Sequence, residues 1–205
     1  MARDTMARLI SEVRTMTGAP ANAYGAGTAT AWSDDLVQDI LDRHRRDVVR
    51  LDLTPEPRLV GGGTLNYFDY RAPYGQWEAT SSGGSATFVV RDSLGAVQGT
   101  ALWSADYARG LVTFAANQGG TAYALTGAVF DLYGAAAEVL RQWATREARA
   151  YDFSEDGQSF RRSQKREGLL AMARDYERKA WAVSGALVRS DVVAGRWSRS
   201  RWGWW

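Results

Sequence analysis

The chain has 205 residues, of which 45% are hydrophobic and 23% charged, a composition that is ordinary for a folded domain and excludes global disorder. It has no cysteine, which excludes disulfides and thiolate metal sites. The net charge of +2 is uneven: residues 1–150 carry 14 Arg against 16 Asp and Glu, whereas residues 151–205 carry 9 Arg and 2 Lys against 7 acidic residues, so any basic surface is local.

Two helices are predicted before residue 60. The first covers residues 3–17 and stops at Gly18. The second begins at Ser33, a typical N-cap residue, and continues to about Arg50, before two prolines end it. The predicted buried stripes are Met6, Leu9, Ile10, Val13 and Met16 in the first helix, and Val37, Ile40, Leu41, His44, Val48 and Leu51 in the second.

Short aromatic or β-branched runs replace the helical spacing from Gly61 to about Ala124. Turn-forming residues separate these runs, a pattern typical of a small antiparallel β-unit. The predicted strands cover residues 65–70, 76–79, 86–91, 97–103 and 110–115.

Helical spacing returns near Leu125 and continues, after an acidic connector at residues 151–164, into a last helix. Because the connector is short, we predict that the two helices pack antiparallel as a hairpin. The predicted contact residues are Phe130, Tyr133, Ala137, Leu140, Ala144, Ala148 and Tyr151 before the connector, and Leu169, Ala173, Tyr176, Ala180 and Ser184 after it.

Periodicity fades after residue 190 into a tail rich in arginine and tryptophan. Burying one aromatic side chain is worth about 1.5–3 kcal/mol, so tryptophans are costly to leave in water and we expect a partner to bury this tail. The predicted docking residues are Arg196, Trp197, Arg199, Arg201, Trp202, Trp204 and Trp205.

These elements predict an α+β fold that is mainly α, with a helical bundle core, an inserted small antiparallel β-unit and an extended C-terminal tail. The predicted domains are the N-terminal core helices at residues 1–60, the β-rich insertion at 61–124, the C-terminal helical hairpin at 125–188 and the tail at 189–205. Apolar runs fall short of the roughly 18 residues that span a membrane, and no signal-peptide core is visible, so we expect a soluble protein that is made in the cytoplasm and has no membrane partner.

Two features resemble catalytic or metal sites but lack the groups such sites need. Asp152, Ser154 and Asp156 mimic the opening of an EF-hand, yet Ser163 stands where a bidentate carboxylate is required, so we expect an interhelical turn and no metal. The single histidine, His44, lies among apolar residues with no hydrolase or phosphate-binding motif in the sequence, so we expect it to pack or to form a hydrogen bond. We expect no cofactor and no enzymatic activity; a hydrolase would need a deep pocket containing His44 and two carboxylates.

Several motifs stand in a characteristic order along residues 3–185, and in that order the chain resembles the head–tail adaptor (connector) proteins of tailed bacteriophages. The motifs are Thr15-Met16-Thr17-Gly18, Trp32-Ser33-Asp34-Asp35-Leu36, Leu41-Asp42-Arg43-His44-Arg45, Gly110-Leu111-Val112-Thr113-Phe114-Ala115, Phe130-Asp131-Leu132-Tyr133-Gly134-Ala135-Ala136-Ala137 and the connector at 151–164.

The resemblance implies a homo-oligomeric ring, usually of twelve copies, in the neck of the virion. One face would dock on the portal protein and the other would carry the next neck or tail protein, or a stopper, while DNA passes through the lumen without specific binding. In the family the C-terminal segment often reaches into the portal, in agreement with the buried tail expected above.

A nucleic-acid-binding function is the alternative. Arg161, Arg162, Lys165 and Arg166 form one basic face at the start of the last predicted helix, and the tail adds further cations. The same face is also suited to an inter-subunit salt-bridge surface, facing the acidic residues between positions 34 and 47.

Overall fold

The structure is a computed structural model that describes residues 2–19, 32–60, 63–80, 87–147, 153–155, 158–160, 162–180 and 188–189. Its residues fall into two compact units. The helical unit is drawn from residues 1–45 and 130–183, and the β unit from residues 46–129 and 184–205.

Helices begin the described chain, strands follow, and two long helices then return together with three short strands. A short 3₁₀ helix, Asp4–Met6, precedes α1 (Ala7–Thr17) and α2 (Asp34–Arg43). Seven strands follow, with a second 3₁₀ helix at Thr100–Leu102: β1 (Arg45–Asp52), β2 (Thr54–Val60), β3 (Thr64–Arg71), β4 (Val89–Asp92), β5 (Trp103–Asp106), β6 (Leu111–Phe114) and β7 (Tyr123–Phe130). The remaining described elements are α3 (Leu132–Glu147), β8 (Phe153–Glu155), β9 (Gln158–Phe160), α4 (Arg162–Glu177) and β10 (Val188–Arg189).

The end of α1 and the start of α2 follow the local signals of the sequence. Gly18 caps α1 in the left-handed conformation, with φ of 65°, and its N–H donates to the carbonyl of Arg14 at 2.8 Å. The Ser33 hydroxyl accepts the N–H of Leu36 at 3.2 Å, as predicted for an N-cap residue. The buried apolar residues of both helices belong to the predicted stripes.

The predicted helical hairpin is confirmed as a pair of antiparallel helices, α3 and α4. Leu140 and Ala144 of α3 form a buried cluster with Leu169 and Ala173 of α4. Two ion pairs fix the direction: Arg141 bonds Glu177 at 2.6 Å, and Lys165 bonds Glu147 at 2.7 Å. Small residues on α3, including the buried run 135–137, allow the helix to pack closely against its neighbours.

Two four-stranded sheets build the β unit. One has the strand order β10-β1-β7-β4, in which β10 runs parallel to β1, and the other has the order β2-β3-β6-β5 with antiparallel neighbours. The edges of the second sheet are β2 and β5. Tyr70 of β3 lies directly opposite Val112 of β6, which in turn lies opposite Ala105 of β5.

Aromatic rings join the two sheets. Tyr123, on β7 of the first sheet, contacts the rings of Tyr70 and Phe114 on the second sheet, at centroid distances of 5.2 and 4.5 Å. Phe88 makes a second cluster with Trp77 and Tyr107, both edge to face at 5.5 and 5.1 Å. Such contacts add to the burial of the rings, so the two clusters form the main core of the β unit.

The predicted fold class is wrong. The structure is a mixed fold of four α-helices and two four-stranded sheets within the described residues, and not a helical bundle core with a small β insertion. Residues 45–52 and 54–60, assigned to a helix and its proline stop, form β1 and β2, and the supposed start of a helix at Leu125 lies in β7.

Strand irregularity explains the error at β1. Val48 and Leu51 are both buried although they stand three residues apart, which is the spacing of a helix. Arg50 between them has φ of 51°, in the left-handed region, and this conformation breaks the alternation of the strand in the way a β-bulge does. In β7, the strand is buried continuously from Ala128 to Phe130, so its sequence lacks the strict alternation that would have identified it as a strand.

Other predicted elements are confirmed in part. The predicted strands at 65–70 and 110–115 coincide with β3 and β6, and the one at 86–91 overlaps β4. Residues 76–79 contribute only an isolated bridge from Trp77 to Val129, and residues 97–103 contain a 3₁₀ turn. The connector at 151–164, expected to be a turn, contains the β8–β9 hairpin.

The surroundings of two tyrosine hydroxyls predict different effects on stability when each tyrosine is changed to phenylalanine. The hydroxyl of Tyr70 is buried with no hydrogen-bond partner among the described residues, whereas that of Tyr123 donates to Oε1 of Gln118 at 2.7 Å. Tyr70→Phe removes a buried unsatisfied group and is expected to leave stability unchanged or to raise it, while Tyr123→Phe is expected to lose about 1 kcal/mol. Urea denaturation of both variants measures this, and equal losses would contradict it.

Candidate functional site

A polar cluster links the end of α2 to the start of α3 in the helical unit. It consists of Arg43, His44, Asp131, Gly134 and Glu138, and we call it the His44 cluster. Nε2 of His44 lies 2.9 Å from one carboxylate oxygen of Glu138, and Arg43 bonds the other at 2.6 Å. The cluster therefore joins residues that are far apart in the sequence.

Asp131 directly precedes α3 and is fully buried. Its Oδ1 accepts the N–H of Gly134 at 3.0 Å, the bond of an N-cap residue, and its carbonyl accepts the N–H of Ala135. Its own N–H donates to the carbonyl of His44 at 3.0 Å. One residue thus caps α3 and ties it to the end of α2.

Gly134 allows the close approach of α3 to His44. A Cβ at this position would lie 2.7 Å from Nδ1 of His44 and 2.8 Å from Oδ2 of Asp131. Both distances are shorter than van der Waals contact, so any side chain at residue 134 would displace the cluster.

The electrostatics of the cluster favour an ionised Glu138. Burial raises the pKa of this carboxyl, but hydrogen bonds from His44 and Arg43, together with their charges, outweigh burial and hold the pKa below its ordinary value. Gln142 donates a further hydrogen bond to Glu138 at 3.1 Å. The carboxylate oxygens are therefore engaged in tying helices together, and His44 is a hydrogen-bonding residue, as predicted.

The predicted basic face is only partly described. Lys165 lies on α4, where it pairs with Glu147 and sits 5.2 Å from the ring centroid of Trp143. Arg166 is exposed on the same helix. Arg162 begins α4, but its side chain, like the whole of Arg161, lies outside the described residues. The charge of Lys165 is thus engaged within the helical unit.

The docking residues predicted in the tail, from Arg196 to Trp205, lie outside the described residues, and so do Asp152 and Asp156 of the calcium-like motif. Among the residues that the structure describes, no group of three or more histidine or acidic side chains is placed to hold a metal. No described helix is long and apolar enough to cross a membrane.

A pocket of about 330 Å³ lies in the β unit, between β1, β7 and the turn after β4. Arg50, Asp52, Arg91 and Asp92 line it, so its charges balance and favour neither an anion nor a cation. Burial raises the pKa of Tyr123, at the pocket wall, and the charge of Asp92 raises it further. The hydroxyl of Tyr123 is therefore protonated at neutral pH.

A pair of tyrosines with a lysine beside it, on the helical unit, was predicted only in part. The ring of Tyr133 lies 5.9 Å from that of Tyr176, and the ammonium of Lys179 is within 6 Å of both ring centroids. Tyr176 also donates its hydroxyl proton to the carbonyl of Met16 at 2.9 Å, which joins α4 to α1. Tyrosines at 133 and 176 were predicted as hairpin contacts, but the cation beside them was not.

Comparison with protein-family models, with curated proteins and with solved structures found no match.

The close approach at Gly134 predicts that Gly134→Ala destabilises the helical unit. The added methyl group collides with His44 and Asp131, an overpacking cost of about 1–3 kcal/mol that exceeds the gain in helix propensity of up to about 1 kcal/mol. The matched control is Gly168→Ala on α4, where nothing lies within 4 Å of the added Cβ and the same propensity gain is expected to raise stability. Urea denaturation decides, and a stabilised Gly134→Ala variant would refute the clash.

The lowered pKa of Glu138 predicts an acid-dependent contribution to stability. The ionised carboxylate stabilises the fold above the pKa of the unfolded chain, about 4.3, and this contribution disappears as pH falls through the lower folded value. Glu138→Gln removes it, so wild type and variant are expected to differ at pH 7 and to converge towards pH 3. Urea midpoints measured across this range test the prediction. The control is Glu12→Gln, which removes the ion pair between Glu12 and Arg8 within α1.

Proposed function

We propose that this chain is a structural adaptor subunit of a phage head–tail connector ring, docked beneath the portal and linking it to the next neck or tail protein around the DNA channel. The proposal rests first on the order of motifs that resembles the adaptor family. It concerns assembly, and none of its steps requires a bond to be made or broken.

The observation that carries the proposal is the meeting of two of those motifs. The motif that includes Arg43 and His44 contacts the motif that begins at Phe130, through the bond between His44 and Asp131 and the fit of Gly134. Glu138, one residue beyond the second motif, completes the contact. The residues that carry the resemblance therefore contact one another within the helical unit. This supports a structural relationship to the adaptor family over a chance likeness of short segments.

The surface charges of the helical unit are compatible with a DNA channel. Binding to phosphates strengthens with every free cation, so a channel wall must present few of them. Several cations of the helical unit are paired with carboxylates: Arg3 with Asp42 at 2.6 Å, Arg14 with Asp34 at 2.6 Å, Arg141 with Glu177 and Lys165 with Glu147. DNA would pass such a wall without being held.

We assign docking on the portal to the C-terminal tail, residues 189–205, which is rich in arginine and tryptophan. Tryptophan and arginine are among the residues that most often dominate protein interfaces, because they bury large areas and pair with carboxylates or aromatic rings. Since the net positive charge of the chain is concentrated after residue 150, the docking face of the portal is expected to be acidic.

Deletion of the residues after Ala194 tests this proposal. The full chain mixed with portal rings is expected to form a complex whose mass fits a ring of adaptors, and the truncated chain is expected to lose association with the portal. Native mass measurement of each protein alone and in mixture gives the result.

Arg166→Gln, which changes an exposed cation of α4 and leaves the tail intact, is the matched control and is expected to bind the portal normally. Undiminished binding by the truncated chain would refute docking through the tail. Failure of the full chain to bind any portal, combined with tight and salt-dependent binding of duplex DNA in fluorescence anisotropy, would replace the adaptor proposal by the nucleic-acid alternative.

A further inference from the structure

Three strands of the β10-β1-β7-β4 sheet finish at the same end of that sheet. Arg50 of β1 donates its N–H to Oγ1 of Thr126 in β7. Leu53, just after β1, donates its N–H to the carbonyl of Tyr123, which begins β7, so β1 and β7 run in opposite directions. β4 is also antiparallel to β7, and β10 is parallel to β1. The C-terminal ends of β1, β4 and β10 consequently lie together.

The pocket of the β unit lies at this end of the sheet. The end of β1 supplies Arg50 and Asp52 to its lining, and the other lining residues come from the end of β4, the turn after it and the start of β7. Arg189 of β10 lies opposite Val49, the residue directly before Arg50. The chain beyond Arg189 therefore starts beside the pocket, and it belongs to the same compact unit.

The tail is long enough to reach every wall of the pocket. Its first tryptophan, Trp197, stands eight residues after Arg189, a span of about 26 Å for an extended chain at about 3.3 Å per residue. Neighbouring strands are about 4.8 Å apart, so β4, three strands away from β10, is at about 14 Å. Trp197 can enter the pocket while β10 stays paired with β1.

The lining of the pocket suits one indole ring. Its volume of about 330 Å³ is near the lower limit of the roughly 300–1,000 Å³ found for ligand pockets, which is room for one large side chain. Arg50 and Arg91 line it, and a guanidinium group stacks favourably on the face of an indole. Leu94, at the turn after β4, is 93% exposed, and a ring packed on it would remove apolar surface from water.

The charges of the pocket suit an arginine next to that ring. Asp52 is exposed and has no ion-pair partner among the residues that the structure describes. Arg196 directly precedes Trp197 and supplies the missing cation. The balanced lining favours neither a lone anion nor a lone cation, but a segment with an indole beside a guanidinium group meets both arginines and Asp52 with complementary groups.

We propose that the tail of the free chain folds back on its own β unit, with Trp197 in the pocket and Arg196 beside Asp52. A tether of eight residues gives an effective concentration on the order of millimolar, so even a weak contact is populated. The inference rests on the proposed function in one respect: the docked segment is the one assigned to the portal. The portal therefore competes with the pocket for the tail, and the contact is autoinhibitory.

A disulfide crosslink tests the contact in the full-length chain. The chain has no cysteine, so Leu94→Cys combined with Ser198→Cys creates the only two thiols. Oxidation is expected to give an intramolecular disulfide, seen as a faster monomer band on a non-reducing gel. Addition of Trp197→Ala is expected to slow its formation by about tenfold or more, the ratio that the loss of one buried aromatic side chain implies.

The matched control is Leu59→Cys with Ser198→Cys, which places the first thiol at an exposed leucine of β2 that does not line the pocket. Its crosslink is expected to form much more slowly. Equal rates for the two pairs, or a rate that Trp197→Ala leaves unchanged, would overturn the inference. A crosslink between two chains instead of within one would overturn it as well, because the pocket would then bind the tail of another copy.

Tryptic cleavage after Arg196 gives a second test, which needs no cysteine. Asp52→Asn removes the partner of Arg196 and is expected to speed this cleavage by about two- to fivefold, the effect of losing one exposed ion pair. Asp39→Asn, at an exposed residue of α2, is the control and is expected to cleave like wild type. Equal cleavage of wild type and Asp52→Asn, measured by mass spectrometry, would exclude the contact between Arg196 and Asp52.

The crosslinked chain also separates this inference from the adaptor proposal. The oxidised form of the Leu94→Cys, Ser198→Cys chain is expected to lose binding to portal rings, and the reduced form to bind them. Equal binding by both forms would exclude competition between pocket and portal. A chain that crosslinks but never binds a portal contradicts the adaptor proposal alone, whereas one that binds the portal but forms no crosslink contradicts the folded-back tail alone.

Discussion

The chain leaves the helical unit after His44 and returns to it near Asp131. The hydrogen bond from the N–H of Asp131 to the carbonyl of His44 holds these two points together. Residues 46–129 are inserted between these points, and an insertion is tolerated where its two ends lie close together. Glu138 reinforces the junction by binding Arg43 and His44 at once. The helical unit can therefore close as though the inserted residues were a single long loop.

The same junction restricts which residues can stand at several positions. Asp131 must be a helix cap that fits a fully buried position, and Gly134 must lack a side chain because the ring of His44 occupies that space. Arg43 and His44 must stand at the end of α2, since their side chains reach the carboxylate of Glu138 from the last turn and the C-cap of that helix. These requirements fall on two segments that are far apart in the sequence.

Local signals explain which elements the sequence predicted correctly. The cap at Ser33, the stop at Gly18 and the apolar spacing of α3 and α4 each depend on residues within a few positions, and each prediction is confirmed. The sequence did not predict β1 and β7 as strands, because their buried residues depart from strict alternation at Arg50 and from Ala128 onward. The His44 cluster could be predicted only as a hydrogen-bonding histidine, because no local pattern connects residue 44 with residue 138. The cap at Asp131 could have been predicted from the sequence, since an aspartate directly before a helical run is a standard N-cap signal.

The β unit was expected to be small, and its actual extent changes its place in the fold. A short insertion would serve as a loop between helices, but two sheets joined by aromatic clusters form an independent core. A unit with its own core holds its surface side chains in defined positions, and such preorganisation lowers the cost of ordering side chains in any binding event. The ion pairs between β2 and β3 have the same consequence, because Arg58 is already held by Asp69 and Arg71 by Glu56. The helical unit and the β unit thus each have a core of their own, so a substitution in the core of one unit is expected to leave the core of the other intact.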